Sequence, residues 1–430
     1  MSVNTSLAKT GFFRLCVAEA ISYAGAQLSV FALPLVAALS LQAGAWEMSL
    51  LVAAGSAADL VLGLSTGVWA DRYERTRLMH IANMGRLLIL VALPVLWWAD
   101  MLTVWILAVA AFVLGALSLL FQSALVPYLP RLVGKEHIGR ANSWLEGTQS
   151  ASEVAGPGLA GVIVQVLGPP VALLVDAATY VVSSVSLLRL PKAPPNRAEG
   201  EGKPHVAEIR EGLRLLRRDR YQWPLALAST HFNLFCSMFA ALYVLFAVRV
   251  VGLSPLLLGV MTAIGGVAGL VAAALSGRIT DRIGHGPTLV LSYVLPGLTA
   301  LPVGLTHLMP LPYALVLIGI SQFTWAYSIV TMQISIGTVR QTLVPDAVLG
   351  RITASVRFMS WGIMPLGALL GGALAETSVG LGGTLVISST GMCFAALWPL
   401  LSSVRKLRSL TGEEGGADRE APVSDTAASP

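Results

Sequence analysis

Charge is scarce in this chain. Of its 430 residues only 12% are Asp, Glu, Lys or Arg, while 55% are hydrophobic. That is about half the charged share of an average soluble domain. One water-soluble core cannot absorb such a surplus, so the composition calls for a bilayer as solvent. Cysteine is scarcer still. Cys16, Cys236 and Cys393 stand far apart, each in an apolar stretch, with no CxxC pair. This argues against a disulfide framework or a thiolate metal site, and the three read as small buried hydrophobes. No G-x-x-x-x-G-K-[ST] run is present to cradle a nucleotide phosphate, and no HExxH helix or haem-attachment motif occurs. The G-x-S-x-G match at residues 63–67 lies within a hydrophobic helix, not at the strand-to-helix turn that a nucleophilic serine requires. Neither enzymatic chemistry nor a cofactor or metal is expected.

What the sequence holds in abundance is long apolar runs. A hydrocarbon core of about 30 Å takes about 20 helical residues, and backbone groups in lipid must be satisfied within the helix. The pattern predicts twelve membrane helices, at 12–39, 46–70, 78–98, 102–126, 143–166, 170–190, 222–249, 256–277, 288–306, 312–338, 352–376 and 382–403. The opening "MSVNTSLAKT" and the run after it do not form a cleavable leader, so that run is expected to stay as the first span. All of the 28 Lys and Arg except Arg86 and Arg249 fall on one side of these spans. The positive-inside bias places that side, with both termini, in the cytoplasm. It also accounts for the net charge of +5 without nucleic acid. Arginine outnumbers lysine and Ala and Gly abound, which suits a multi-pass protein of a bacterial plasma membrane.

The spans divide into 1–190 and 221–404, joined by a polar stretch at 191–220 and followed by a polar tail at 405–430 that is expected to be disordered. The first half of the joining stretch reads as a Pro/Gly-rich tether. Its second half reads as a basic amphipathic helix able to lie on an anionic leaflet. The two halves of the chain repeat. Gly67, Asp71 and Arg72 return as Gly277, Asp281 and Arg282, offset by 210 residues, and "LVGKEHIGR" at 132–140 returns as "LVPDAVLGR" at 343–351. "GPGLAG" at 156–161 has a looser echo in "PLGALLGG" at 365–372. An even number of spans between copies makes the repeat parallel, a design in which ligand sites lie between the halves near the midplane.

The twin loops resemble the signature of the major facilitator superfamily, G-x-L-A-D-R-x-G-R-R/K. Gly67, Ala70, Asp71, Arg72 and Arg75 match it, while Trp69, Glu74 and Thr76 depart from it; the second loop regains a glycine at Gly284. Residues 125–143, 173–183 and 208–216 resemble the drug-efflux and siderophore-exporter branch, and Gly156-Pro157 with Ala160-Gly161 is similar to that branch's antiporter motif. The resemblance implies an all-helical membrane fold of two pseudo-symmetric six-helix bundles. In it spans 1, 2, 4, 5, 7, 8, 10 and 11 line a central cavity and spans 3, 6, 9 and 12 support them. It further implies that each loop aspartate caps a helix of the opposite bundle. Asp71 is then expected near Arg351, and Asp281 near Arg140, with Arg72, Arg75 and Arg282 completing the gates. Each such contact is worth about 1–3 kcal/mol, which suits a switch between states of similar energy.

Ionisable groups within the spans are costly and tend to mark function. Glu19, Asp59, Arg86, Glu153 and Asp176 lie in spans 1, 2, 3, 5 and 6, and His231 in span 7. Glu19, Asp59 and Glu153 fall on expected cavity helices and are candidate proton or cation sites, because a carboxyl removed from water holds its proton more readily. Each has a structural alternative. Asp59 and Arg86 lie at similar depth in adjacent helices and can pair; Asp176 can serve packing; Glu19 can sit at headgroup level; His231 can be a hydrogen-bonded interior histidine. Gln149, Asn233, Gln322, Trp325, Gln333 and Trp361 are candidates to line the cavity for a large amphipathic ligand. Gly63-Gly67 and Gly265-Gly269 read as close helix contacts. The expected function is export of a hydrophobic or amphipathic small molecule in exchange for protons, by a monomer in lipid, with no nucleic-acid partner. A dedicated siderophore or secondary-metabolite exporter is the second reading, and a non-transporting membrane sensor of the same fold the third.

Overall fold

The computed structural model describes residues 11–188 and 205–408, without the side chains of 64, 65, 67, 68, 71, 135, 205–210, 346 and 347. The segments read as the tether's Pro/Gly-rich half and as most of the tail lie outside the described residues. Twelve helices are long and apolar enough to cross a bilayer, and no strand occurs among the described residues. Spans 1–6 are Phe12–Ser40, Ala45–Gly63, Arg75–Trp98, Val104–Val133, Ile138–Leu167 and Pro169–Leu188. Spans 7–12 are Gln222–Arg249, Pro255–Ile283, His285–Leu308, Leu311–Leu343, Val348–Ala375 and Gly380–Leu400.

Number and order match the sequence reading, but the helix ends differ. The helix of span 2 runs on to Arg72, span 5 starts at Ile138, and the helix of span 11 starts at Asp346. All three extensions lie at the end that carries the linker and both repeated loops, the linker end. There the helices project beyond their apolar windows into a zone where charged side chains are solvated, which hydropathy cannot register. Local chemistry sets other ends. Thr103 and Ser254 each accept an N–H of the first turn at 3.3 Å, from Ile106 and Leu257. Pro34 lacks the N–H that would continue span 1 as an α-helix, and the chain widens into a π-turn over Val36–Ser40.

Span 2 packs on 4, span 3 on 4 and 6, and span 1 on 5 and 6. Adding six to each number gives the packing of the second bundle: 8 on 10, 9 on 10 and 12, and 7 on 11 and 12. The bundles meet along two seams, span 5 against span 8 and span 2 against span 11, which the same operation interchanges. At the far end both seams are shut. Gly161 and Gly259 meet backbone to backbone, so that a Cβ on Gly161 would lie 2.9 Å from the Gly259 Cα. Glu376 accepts the Trp46 N–H at 3.3 Å, and the Arg249 guanidinium donates to the Ala38 carbonyl at 2.6 Å. Toward the linker end the seams part. A Cβ on Gly139, Gly277 or Gly350 would meet nothing within 4 Å, and Trp144 and Phe358 are exposed. The molecule is closed at the far end and open at the linker end.

The amphipathic helix forms at His205–Arg218. Read from the sequence as a tether whose helix could lie on a lipid surface, it packs in part on protein and leaves Leu213 exposed. Leu216 is buried with Ala226, Val344, Ile352 and Val356 at the foot of spans 7 and 11. Glu211 pairs with Arg351 at 2.5 Å, and Gly212 lies so close that a Cβ there would be 2.6 Å from the Arg351 carbonyl oxygen.

Candidate functional site

Between the parted seams lies a vestibule with two lobes and a recess. The first lobe, about 770 Å³, lies between spans 2, 4 and 11 and is lined by Asp59, Gly63, Gln122, Arg357 and Trp361 among others. Asp59, from the first bundle, faces Arg357, from the second, at 3.8 Å. The Arg357 guanidinium also lies 5.0 Å from the centre of the Trp361 ring, within reach of a cation–π attraction. Asp59 is 30% exposed and Arg357 62%, so solvent screens the pair and limits it to about 1 kcal/mol. The pairing of Asp59 with Arg86 considered above does not form. Arg86 points into its own bundle, 5.2 Å from the Phe121 ring centre and 5.3 Å from that of Tyr180, and donates to the Leu117 carbonyl at 3.1 Å.

The second lobe, about 500 Å³, lies between spans 1, 5, 8 and 10 and holds Glu153, Gln27, Gln322, Trp325 and Gln333. Gln149, one turn before Glu153, donates to its carboxylate at 2.9 Å. Gln27, Pro157, Thr262, Gln322 and Trp325 also line a recess of about 270 Å³ that continues toward the far end. Its aromatic side is Phe239, whose ring lies 5.5 Å from that of Trp325 and 5.7 Å from that of Tyr243. The Tyr243 hydroxyl is buried and has no hydrogen-bond partner among the described residues.

Several candidate residues stand elsewhere. Glu19 and Asp176 are buried inside the first bundle, away from the vestibule lining. His231 faces span 12, with one ring nitrogen 3.0 Å from the Gly391 carbonyl and the other receiving the Trp398 indole N–H at 3.3 Å. It borders a separate apolar groove of about 520 Å³ and makes hydrogen bonds of the interior kind weighed against a relay. Asn233 donates to the Ser360 carbonyl at 2.7 Å and ties span 7 to span 11. Gly63 faces the vestibule with open space around it, which corrects its reading as a helix contact, whereas Gly265 does abut span 10 at Ala326 and the Gln322 carbonyl.

Of the gate residues, the Asp71 side chain lies outside the described residues. Arg351, its expected partner, is held by Glu211. Asp281 and Arg140 are both exposed and form no ion pair with each other, and Arg72 and Arg282 are exposed as well. With the linker end open, the two bundles are parted where that pair is expected. Arg75 is buried and donates to the Pro127 carbonyl at 3.1 Å, fastening span 3 to span 4.

The vestibule residues that sequence reasoning missed are Arg357, Gln27, Gln122, Thr262 and Tyr243. Arg357 was counted with the topology-setting arginines; its place inside the predicted span 352–376 was the available signal. The other four are uncharged and carried none.

Residues 15–368 match the Major Facilitator Superfamily, and the chain belongs to that family. It is 28% identical to the uncharacterized MFS-type transporter YfiS of Bacillus subtilis (strain 168), across 85% of this chain and 87% of that one. It is 26% identical to the multidrug efflux pump Tap of Mycolicibacterium fortuitum, across 86% and 90%. Among solved structures, a bacterial homologue of the iron transporter ferroportin in an inward-facing state overlays with a TM-score of 0.72 at 16% identity, covering 91% of this chain and 98% of that one. The chain is thus a multi-pass membrane transporter with efflux proteins among its distant relatives.

Proposed function

We propose that this transporter exports an amphipathic, positively charged small molecule in exchange for protons, by alternating access of one vestibule to the two sides of a bacterial plasma membrane. The observation that carries the reading is the vestibule itself: Asp59, faced by Arg357, in one lobe and Glu153 in the other, among apolar, aromatic, hydroxyl and amide side chains. A large cation finds apolar area, ring faces, the Glu153 carboxylate and, once Arg357 is displaced, that of Asp59, the combination that suits a bulky organic base. The similarity to an efflux pump supports the same direction of transport.

In this reading the linker end faces the cytoplasm, as the arginine distribution implies. Cargo enters the open vestibule and displaces Arg357 from Asp59. The Tyr243 hydroxyl and the amides of Gln27, Gln322 and Gln333 bind its polar groups. The linker end then closes as Asp71 meets Arg351 and Asp281 meets Arg140, while Gly161 and Gly259 separate at the far end. The linker end gains charge-assisted contacts as the far end gives up its close packing, so the two states remain close in energy. The division into 1–190 and 221–404 then marks the two rigid bodies that rock.

Efflux of a cationic dye such as ethidium from cells or proteoliposomes tests this. Efflux is expected to stop when the proton gradient is collapsed. Asp59→Asn and Glu153→Gln are each expected to cut it by about tenfold or more, the cost of one lost charge contact at about 1.4 kcal/mol. Efflux that persists without the gradient would reject proton exchange.

A further inference from the structure

The first bundle encloses a charged cluster that lies apart from the vestibule. Glu19 of span 1, Arg86 of span 3 and Asp176 of span 6 are 2%, 6% and 1% exposed. Asp176 has a side-chain donor: Ser29 bonds one carboxylate oxygen, while the Thr179 hydroxyl lies 3.1 Å from the other and 2.7 Å from the Asp176 backbone carbonyl, which competes for its single hydrogen. Glu19 Oε1 is buried with no hydrogen-bond partner, and no ion pair joins Glu19 to Arg86 among the described residues, although Arg86 is near enough to act on it through space. Two acids therefore share one cation. With both ionised, the interior would hold a net negative charge and an undonated carboxylate oxygen, a combination that a low-dielectric interior penalises. One added proton removes the excess charge, and the Ser29 donor on Asp176, with none on Glu19 Oε1, assigns it to Glu19.

Tyr23 and Gln122 continue from Glu19 toward the vestibule, with no hydrogen bond from Glu19 Oε1 to Tyr23. Tyr23 follows Glu19 by one helical turn on the same face. The Gln122 side-chain amide donates to the Tyr23 hydroxyl at 2.9 Å, and Gln122 itself lines the lobe that holds Asp59. Because the tyrosine oxygen already accepts from Gln122, its own hydrogen is left to give. We infer that Glu19 is a proton-binding site sealed within the first bundle, reached from the vestibule through Tyr23 and Gln122. On release, the Glu19 O–H proton passes to the Tyr23 oxygen as the Tyr23 hydrogen passes to vestibule water. One proton leaves, and a carboxylate remains facing Arg86. The other groups around the site are Cys16 and Tyr23 on span 1, Glu146 on span 5, and Tyr180 with Asp176 on span 6; span 4 contributes the neutral Gln122.

This deepens the antiport reading and rests on it for the site's role in transport, because proton and cargo then occupy different places. Protonation itself can be tested without any cargo. Infrared difference spectra of the purified full chain in lipid nanodiscs, taken between acidic and alkaline pH, report protonated carboxyls by their C=O stretch. The wild type is expected to show such a band buried from water, lost as pH rises. Glu19→Gln is expected to remove it, while Asp59→Asn, Glu153→Gln and Asp176→Asn keep it. Tyr23→Phe should leave the band in place but slow its shift in D₂O by about tenfold, the low side of what a positioned proton donor supplies. This second variant preserves the packing and serves if Glu19→Gln does not fold. No such band in the wild type, or its survival in Glu19→Gln or loss in Asp176→Asn, overturns the site; wild-type exchange in Tyr23→Phe overturns the route. If the band behaves as expected while efflux ignores the proton gradient, the site stands and the antiport reading falls.

Discussion

Gly259→Leu is expected to abolish transport while leaving both bundles folded. A Cβ at this position would lie 2.7 Å from the Pro157 carbonyl oxygen and 2.8 Å from the Gly161 Cα. Both obstacles are backbone, so neither can rotate away. The residues in conflict belong to different bundles, and the clash exists only while the far end is shut. Each bundle can keep its own packing by letting the seam open. Overpacking of this kind costs about 1–3 kcal/mol, and a full leucine at a backbone contact belongs at the upper end. That is enough to move a balanced two-state equilibrium by about a hundredfold. The variant should therefore rest with its far end open, and spin labels at Gln165 and Leu256, joined by a 3.4 Å hydrogen bond while that end is shut, should lie farther apart than in the parent. Normal transport by Gly259→Leu, with that distance unchanged, would show that this seam is not a gate.

Reversing the charge of Arg357 should do nearly as much damage, and the damage should be repairable. Asp59 and Arg357 face each other across the second seam at 3.8 Å. Arg357→Glu sets two carboxylates against one another in the vestibule, and like charges so placed cost more than the loss of a screened attraction. Transport of a cationic dye is expected to fall about tenfold or more. Asp59→Arg alone should fall at least as far, since it also removes the negative charge that cargo seeks. The double swap restores opposite charges across the seam and should recover the conformational exchange of the single reversals. A double-mutant cycle on the rate of opening and closing should show a coupling of about 1 kcal/mol. A swap no better than the worse single variant would mean that the pair does not join the bundles.

Much of this architecture is legible in the sequence because lipid imposes two simple requirements, apolar length and arginine placement. Twelve runs, two matching loops and a parallel repeat follow from them, and the repeat is visible again in the packing, where every major contact recurs six spans later. The second lobe was legible as well: Glu153, Gln322, Trp325 and Gln333 are polar or aromatic positions on helices that the resemblance placed around the cavity, and they line one space. What the sequence could not provide is the direction in which each side chain points. In water an apolar stripe reveals a helix's inner face; in lipid the outer face is equally apolar, and the stripe disappears. Asp59 and Arg86 are therefore level in the membrane yet aim at different interiors, one at the seam and one at the bundle core. Glu19 and His231 left the expected cavity for the same reason. Arg357 was missed for another. It lies near the start of its predicted span, so an arginine counted as a headgroup anchor in the sequence lines the vestibule.

The central claim is that the two bundles rock about their seams so that one end closes as the other opens. The direct test is a pair of spin-label distances in the same lipid-reconstituted protein, with the native cysteines replaced. One pair spans the linker end at Gly139 and Gly277, where added side chains meet open space, and the other spans the far end at Gln165 and Leu256, which are joined by a 3.4 Å hydrogen bond. When pH is changed or a cationic cargo is added, the account predicts that the linker-end distance shortens as the far-end distance lengthens, within one population. Two distances that change in the same direction, or a linker end that stays open whenever the far end opens, would contradict it.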